Sequence, residues 1–462
     1  MTLTESVANS AFCVPYSEFL HSAIPLTVFE KYMLFDDSAS YPMDSFRFFR
    51  FSGKLEVDLF VLSIESVVRF QPLLSAKIRF DSRLGYVWEH VSQPVFVRRI
   101  TTPISTRIPT PERIDIFNEA GFKVYIVEDS FGCSVLFQFH HTVSDGLGEM
   151  DLLADILTDY NDRVNGKVPK ENPRNLDFSL LKLRGSSGLT LAKYFRYFID
   201  TAFTTHQLLF CSPSPLVPCK KCDLSVPDPD YYQCISTGLP SESTVNYFSF
   251  AKRNNVTIND LLIRDLFLTI NKCRQEWGHS CRGVLWRVSM PMSLRTSLHE
   301  RIPASNNVTM VFLDRRSSAC ADADKLLRGV GRETRWIKRA EQKHVLILSL
   351  RICNLLPGGI GRMLRARECR ATAVLSNLGR VFDGLTIPRR KDGCLEIGGA
   401  VLEEVDATPP IRLGTLVSIS ALTYAGKLRL ILRYDAKNMN QNQANQFMQT
   451  YTNHITTEKN DQ

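Results

Sequence analysis

The chain has 462 residues, of which 44% are hydrophobic and 23% are charged, and its formal net charge is +8. This length predicts two domains of ordinary size, and the composition excludes a disordered or fibrous protein. The excess of 56 Lys and Arg over 48 Asp and Glu is mild, and few aromatic residues are interleaved with the basic ones. Nucleic-acid binding is therefore not expected.

Two features of the sequence bear on the cellular compartment of the protein. Residues 1–19 lack the basic start, apolar core and small-residue cleavage site of a secretory signal, so we expect a cytoplasmic protein. The most apolar stretches, 189–218 and 344–363, are interrupted by charged residues and proline, which is wrong for a lipid-exposed span. Peripheral contact with a membrane stays open as an alternative.

The twelve cysteines are best interpreted as reduced thiols, because no secretory signal accompanies them. One segment holds four of them, Cys211, Cys219, Cys222 and Cys234. Four thiolates suit a structural zinc, but zinc ribbons use two short Cys pairs and this segment has one. We predict no metal site, and zinc on this segment remains the open alternative.

In the first third of the chain, apolar residues at helical spacing predict an amphipathic helix over 55–70. The segments 73–80 and 85–96 are rich in β-branched and aromatic residues and predict short strands. The segments 122–127 and 133–141, separated by a polar turn, predict a β-hairpin. An antiparallel sheet is therefore expected in this half.

The second strand of that hairpin predicts where its two final side chains point. Side chains alternate along a strand, so His141 shares a face with the apolar Phe137 and Phe139, whereas His140 lies on the opposite face. A turn over 142–148 and an amphipathic helix ending near 165 follow.

The second half repeats this combination of sheet and helix. Thr257 and Asp260 predict a capping box at the start of a buried helix. The segments 416–424 and 428–434 predict a second hairpin, followed by a helix with apolar residues near 444–451.

Composition also predicts how the chain is divided. The stretches 166–177 and 211–229 have little apolar periodicity or many prolines and serines, which is typical of linkers. We expect an N-terminal subdomain over 1–170, a linker or crossover region over 171–235 and a C-terminal subdomain over 236–462. The fold class predicted is α/β (α+β), with two similar subdomains of mixed sheet and helices facing each other across a cleft that holds the ligand site.

The segment 140–146 reads HHxxxDG, and it lies where the apolar face of a strand runs out into a turn. The chain here resembles the superfamily of chloramphenicol acetyltransferases, nonribosomal peptide condensation domains, wax ester synthases and stand-alone alcohol or polyketide-associated acyltransferases. Other segments resemble further motifs of that superfamily in the same order, namely Pro25-Leu26-Thr27 with Glu30, Gln71-Pro72-Leu73-Leu74, Asn259-Asp260, Pro291-Met292-Ser293-Leu294-Arg295, Asn306-Asn307 and Ser376-Asn377-Leu378-Gly379.

The resemblance implies a set of roles around the motif. His141 is implied as the general base that takes the proton of a hydroxyl or amine acceptor as the acceptor attacks a thioester. His140 is then a positioning or packing residue. Asp145 is implied to be structural, paired with an arginine that holds the loop, for which Arg295 is the candidate.

Three more residues complete the candidate site. Gly146 lets the thioester arm pass close to the backbone, and its amide near a helix N-terminus is suited to stabilise an oxyanion. Ser376 and Asn377 are expected to line the acceptor side. The residues alone leave a second interpretation of the motif open, in which it has no catalytic role. His141 is then a histidine at the end of a strand, bonded to a backbone carbonyl, and Asp145 and Gly146 form a turn that caps the following helix.

The resemblance implies an acyltransferase without a bound cofactor, whose co-substrate is acyl-CoA or the phosphopantetheine thioester of an acyl carrier protein. Its partner is a small alcohol or amine, and a monomer suffices because two fused halves build the cleft. Relatives often carry an Arg-His pair where this chain has Arg69, Phe70 and Gln71. That departure motivates the alternative of a non-catalytic module that binds a carrier protein or a lipid.

Overall fold

The computed structural model describes residues 24–102, 108, 110–185, 189–220, 223–229, 231–366 and 369–457. The strands in this part of the chain are β1 (Ile24–Pro25), β2 (Asp44–Gly53), β3 (Ala76–Asp81), β4 (Gly85–His90), β5 (Phe96–Thr101), β6 (Phe122–Asp129), β7 (Gly132–His140), β8 (Cys234–Gly238), β9 (Leu285–Ser293), β10 (Val308–Arg316), β11 (Ala373–Arg380), β12 (Leu395–Ile397), β13 (Ala400–Thr408), β14 (Val417–Tyr424) and β15 (Lys427–Tyr434).

The α-helices of the same part are α1 (Val28–Asp36), α2 (Val57–Val68), α3 (Gly146–Val164), α4 (Leu191–Arg196), α5 (Phe198–Phe210), α6 (Ser241–Arg253), α7 (Ile258–Glu276), α8 (Ala323–Arg339), α9 (Val345–Leu355), α10 (Gly359–Ala366) and α11 (Gln441–Thr456). The predicted capping box at α7 is confirmed, because Thr257 accepts from the Asp260 amide and Asp260 accepts from the Thr257 amide. Among the described residues, no single helix has the length and apolarity to cross a membrane, and only the pair Gln342–Leu355 and Gly359–Arg365, bent by 103°, passes that test together.

The strands form two six-stranded sheets and one three-stranded sheet. Sheet I has the order β12-β13-β2-β7-β6-β5, sheet II has the order β10-β9-β11-β14-β15-β8, and the small sheet has the order β1-β4-β3. Both predicted hairpins are present, β6 with β7 in sheet I and β14 with β15 in sheet II. The predicted α/β architecture of two sheet-and-helix halves is confirmed.

Each large sheet has its own core. On sheet I, α2 packs on the sheet and on α3, with the ring of Phe60 5.2 Å from that of Tyr160 and 6.4 Å from that of Phe137. On sheet II, α6, α7 and α11 bury a second cluster that includes Trp286 and Phe447. Burying these apolar side chains is the main favourable contribution to folding.

The division at 170/171 and 235/236 stays a prediction, and two features of the connections bear on it. The strands β12 and β13 come from the C-terminal part but extend sheet I, since β13 pairs antiparallel with β2. The region 171–235, predicted to be a linker or crossover region, carries α4, α5 and the first residues of β8. Strand pairing between distant segments depends on tertiary contacts, which composition does not report.

Candidate active site

A cavity of about 300 Å³ lies between the two large sheets. Both sheets and the segments that connect them supply its walls. Its polar and charged lining residues include Asp36, Ser45, Arg47, His141, Asp145, Ser293, Arg295, Ser376, Asn377, Arg412 and Ser420, and its apolar ones include Met33, Met43, Leu147, Val308, Met310, Leu378 and Ile411.

His141 follows the last residue of β7 and lines this cavity with 16% of its side chain exposed. Its backbone amide donates to the Met43 carbonyl at 2.7 Å, which extends the strand pairing by one residue. Its Nδ1 lies 2.9 Å from the Ser144 carbonyl oxygen. Because a carbonyl only accepts, Nδ1 carries the proton in the neutral ring and Nε2 is left with a lone pair. The ring is therefore set up as a base at Nε2.

Sequence reasoning missed the carboxylate beside this ring, Glu149. Its Oε1 lies 3.7 Å from His141 Nδ1 and accepts from the Ser45 hydroxyl at 2.9 Å. Its Oε2 lies 2.6 Å from Arg47 Nη2, and both members of this ion pair are buried. Acidic residues are common in the first turn of any helix, so the position of Glu149 in α3 carries no specific signal in the sequence.

Asp145 has two structural tasks. As N-cap of α3, its Oδ1 accepts from the amides of Leu147 and Gly148 at 3.1 and 2.9 Å. Arg295 Nη1 donates to both of its carboxylate oxygens at 2.7 Å, and the Asn307 amide donates to Oδ2 at 2.7 Å. The structure thus brings the two predicted residues together and ties the motif loop to the segment after β9.

Asn306 fixes the same loop from the other half of the chain. Its Nδ2 donates to the carbonyls of His141 and Thr142 at 2.8 and 2.7 Å. Close by, the Gln71 Oε1 accepts from the Ala304 amide at 2.7 Å, and Gln71 is fully buried. Gln71, which stands where relatives often carry the histidine of an Arg-His pair, therefore holds the N-terminal half of the chain against the loop that carries Asn306.

His140 points away from the cavity and is fully buried, as the strand alternation predicts. Its Nδ1 accepts from the Thr142 amide at 3.3 Å, and its Nε2 lies 3.8 Å from Asp37 Oδ1. Burial raises the pKa of Asp44, which faces His140 on β2, to about 6. Burial also acts to raise the pKa of Asp37, but the neighbouring His140, the hydrogen bond from the Met43 amide and the charge of Arg113 together hold that pKa below its usual value.

The remaining predicted residues also line the cavity. Gly146 is the first residue of α3, and a Cβ there would lie 2.9 Å from Leu378 Cδ2 and 3.3 Å from Arg47 Nη2. Its amide has no acceptor within the helix because it belongs to the first turn. Ser376 and Asn377 lie on β11, where Ser376 is opposite Ser420 of β14.

A second ion pair lines the cavity and was not anticipated from the sequence. Arg412 donates from Nε and Nη2 to the Asp36 carboxylate at 2.5 and 2.7 Å. Burial tends to lower the pKa of this arginine, but the charge of Asp36 outweighs it and raises the pKa. Burial likewise raises the pKa of the neighbouring Tyr32 phenol.

Zinc on the cysteine segment stays an open alternative. Cys211, Cys219 and Cys234 do not come together, and Cys222 lies outside the described residues. The one described group with ligand atoms close together is Asp392, Cys394 and Glu403. Arg390 already binds both carboxylates of that group, so those oxygens are occupied.

Comparison with known proteins places this geometry in context. No family model matches the chain. The uncharacterized protein Rv2305 of Mycobacterium tuberculosis (strain ATCC 25618 / H37Rv) is 23% identical, over 94% of this chain and 99% of the relative. TRI3 trichothecene 15-O-acetyltransferase from Fusarium sporotrichioides superposes with a TM-score of 0.69 at 11% identity, over 94% of both chains.

A mutant of the starter condensation domain of rhizomide synthetase RzmA, in complex with C8-CoA, superposes with a TM-score of 0.62 at 13% identity over 96% of both chains. At these identities the likeness concerns the fold. The resemblance predicted from HHxxxDG and the accompanying motifs is therefore confirmed at that level, and this chain has the two-sheet fold shared by condensation domains and the TRI3 acetyltransferase.

Proposed function

We propose that this protein is an acyltransferase that moves an acyl group from a thioester to a hydroxyl or amine acceptor, with His141 as general base. The observation that carries the proposal is the state of the His141 ring. Its Nδ1 is bonded to the Ser144 carbonyl, and the ring lines a cavity between the two sheets. A base of this kind is what a weakly nucleophilic hydroxyl needs.

The reaction follows from these positions. Nε2 of His141 takes the acceptor proton while the acceptor oxygen or nitrogen forms a bond to the thioester carbon. The Gly146 amide, at the N-terminus of α3, is suited to donate to the developing oxyanion. The C–S bond then breaks, and the proton on Nε2 passes to the departing thiolate, so His141 returns to its neutral form.

The buried carboxylate of Glu149 supports the charged intermediate state of this cycle. It lies 3.7 Å from His141 Nδ1, and the imidazolium formed by proton transfer is attracted to it. The ion pair with Arg47 and the hydrogen bond from the Ser45 hydroxyl hold the carboxylate in place. In this proposal Glu149 is a positioning residue, because it acts through His141 and not on the substrate.

The structural neighbours support the choice of reaction and donor. TRI3 is named an acetyltransferase, and the rhizomide starter domain is described with C8-CoA bound. A CoA thioester and a carrier-protein thioester end in the same phosphopantetheine arm, so both are candidate donors here.

The test is thiol release measured with dithiobisnitrobenzoate, offering acyl-CoAs of increasing chain length with a panel of alcohols and amines. We expect acceptor-dependent release with wild type and a loss of at least about 100-fold in His141→Ala, the contribution usual for a general base. The matched control is His279→Ala, which removes a histidine outside the cavity.

Equal rates in wild type and His141→Ala would contradict the role of His141. If neither acyl-CoAs nor an acylated carrier protein gives release, while the acylated carrier binds both proteins equally, the non-catalytic module becomes the better interpretation.

A further inference from the structure

The helices α4, α5 and α9 carry apolar side chains on their solvent side, which is unusual for a globular protein. In α5, Ile199 and Phe203 are 79% and 62% exposed, and Phe210 continues the same stripe at a spacing of seven residues. The opposite side of α5 is the buried one, where Thr201 and Leu208 contact the protein. This helix is therefore amphipathic with an outer face that is apolar, the reverse of a solvated surface helix.

Neighbouring segments extend this face. Phe195 and Phe198, at the junction of α4 and α5, are 83% and 72% exposed, and Leu355 at the end of α9 is 84% exposed. The helices are packed together, since the Ser349 hydroxyl of α9 donates to the Thr201 carbonyl of α5 at 3.3 Å. We call this surface, formed by the exposed side chains of α4, α5, α9 and α10, the helical face. Exposed apolar side chains gathered on helices that pack together are typical of an interaction site.

The charges of the helical face are mostly positive. The segments 191–210 and 345–366 contain five cationic residues and one carboxylate, Asp200. The five cations are Lys193, Arg196, Arg351, Arg362 and Arg365.

Most of these cations have no anionic partner among the residues that the structure describes. Lys193 pairs with Glu341 at 3.2 Å. Among the described residues, Arg196, Arg362 and Arg365 form no ion pair, and all three are exposed. Aromatic and aliphatic side chains flanked by free arginines match the interface of an anionic bilayer, where apolar groups enter the acyl boundary and cations meet the headgroups.

The inner side of the same helices reaches the cavity. Leu208, Leu350 and Ile360 pack in one cluster with Met33 and Met310, and both methionines line the cavity between the sheets. A bilayer on the helical face would lie one helical layer away from the candidate active site.

We propose that the helical face binds the surface of an anionic membrane, with α4 and α5 lying in the plane of the interface and Phe195, Ile199 and Phe203 inserted among the lipids. The apolar outer stripe and the unpaired arginines argue for a lipid surface over an acidic carrier protein, which would leave the stripe of aromatic residues without an apolar counterpart. This binding does not depend on the proposed acyl transfer.

The test is co-sedimentation of the full chain with vesicles of an equal mixture of phosphatidylcholine and phosphatidylserine, and with vesicles of phosphatidylcholine alone. We expect binding to the anionic vesicles that is weaker on phosphatidylcholine and falls with added salt. The triple variant Phe195→Ser, Ile199→Ser and Phe203→Ser should lose at least about tenfold in partition coefficient.

Two further variants make the outcome specific. The control triple Phe80→Ser, Phe131→Ser and Val168→Ser removes equally exposed apolar side chains elsewhere and should bind as wild type does. The triple variant Arg196→Gln, Arg362→Gln and Arg365→Gln should bind anionic vesicles about as weakly as the wild-type protein binds vesicles of phosphatidylcholine alone.

The proposal is overturned if wild type stays in the supernatant with anionic vesicles, if both apolar triples lose binding equally, or if only an acidic acyl carrier protein binds the helical face. His141→Ala should sediment with vesicles as wild type does. Vesicle binding and acyl transfer can therefore fail independently of each other.

Discussion

Two neighbouring histidines at the end of β7 have different surroundings although they are chemically identical. His141 faces the cavity, and its Nδ1 is bonded to a carbonyl. His140 is buried on the opposite face of the strand, beside Asp37 and Asp44. The pleat of one strand separates the two environments, because successive side chains leave opposite faces. The difference was predictable from the spacing of Phe137, Phe139 and His141, but the partners of each ring were not.

The role of Glu149 beside His141 can be tested by substitution. Replacing it by Gln keeps its shape and removes its charge, so the His141 imidazolium loses its nearby anion and Arg47 loses its partner. We expect kcat to fall about 10- to 100-fold with little change in KM, the range typical of groups that orient a reacting residue.

The matched control is Asp155→Asn, which removes another buried carboxylate of α3, one that binds Arg174 at 2.8 Å away from the cavity. We expect it to lower stability and leave kcat unchanged. Steady-state kinetics of both variants decide the matter, and an equal fall in kcat would mean that Glu149 acts only through the stability of α3.

At the scale of secondary structure, the packing of helices decides which groups can ionise. His344 ends the short 3-10 helix Gln342–His344 that leads into α9, and it is buried near Tyr197. Burial, together with the charges of Lys193 and Lys343 and against that of Glu341, lowers the pKa of His344 to about 4. Nothing in the local sequence distinguishes this histidine from an exposed one.

This shift predicts a pH dependence of stability. In the unfolded chain a histidine has a pKa of about 6.5. Between about pH 6.5 and pH 4, His344 is therefore protonated in the unfolded state and neutral in the folded state. The free energy of unfolding therefore falls as the pH is lowered through that window. We expect His344→Gln to show a smaller fall, measured by urea denaturation at pH 7 and pH 4.5.

Buried carboxyls such as Asp44 and Asp155, whose pKa values burial raises to about 6, also make stability depend on pH. They are present in both proteins, so the difference between wild type and His344→Gln isolates the contribution of His344. The two pH profiles running parallel would show that His344 does not ionise differently in the two states.

At the scale of the whole molecule, the two sheets are joined by a strand crossing and by buried polar contacts. Besides β12 and β13, Arg433 of β15 extends from sheet II to sheet I and is fully buried. Its guanidinium donates to the carbonyls of Asp44 at 2.7 Å, Pro409 at 3.1 Å and Tyr231 at 3.1 Å. The contact at Asp44 lies on the strand register opposite His140.

Arg433→Leu should therefore weaken the joint between the halves. It leaves buried carbonyls without donors, which costs about 1–3 kcal/mol for each group, so we expect a clear drop in the midpoint of thermal unfolding and reduced acyl transfer. Arg380→Leu, which removes an arginine whose side chain is 67% exposed, serves as control and should leave the midpoint unchanged. A midpoint unaltered in Arg433→Leu would show that the halves are held by the apolar core alone.

The amino-acid sequence was enough to predict the local elements and the nature of the central motif. Helix α2, the hairpins of β6 with β7 and of β14 with β15, and the capping box at Thr257 follow from apolar periodicity and from hydrogen bonds between residues close in the chain. The motif order likewise predicted the fold of condensation domains and related acetyltransferases, which the structural comparison confirms.

Contacts between distant segments of the chain became visible in the folded protein and were not predictable from its sequence. It added β12 and β13 to sheet I, brought Glu149 and Arg47 to His141, and turned the apolar stripe of α5 outward. Apolar periodicity shows that a helix has an apolar face but not whether that face is covered by protein. Burial and long-range pairing are properties of the assembled chain, so local sequence carries little information about them.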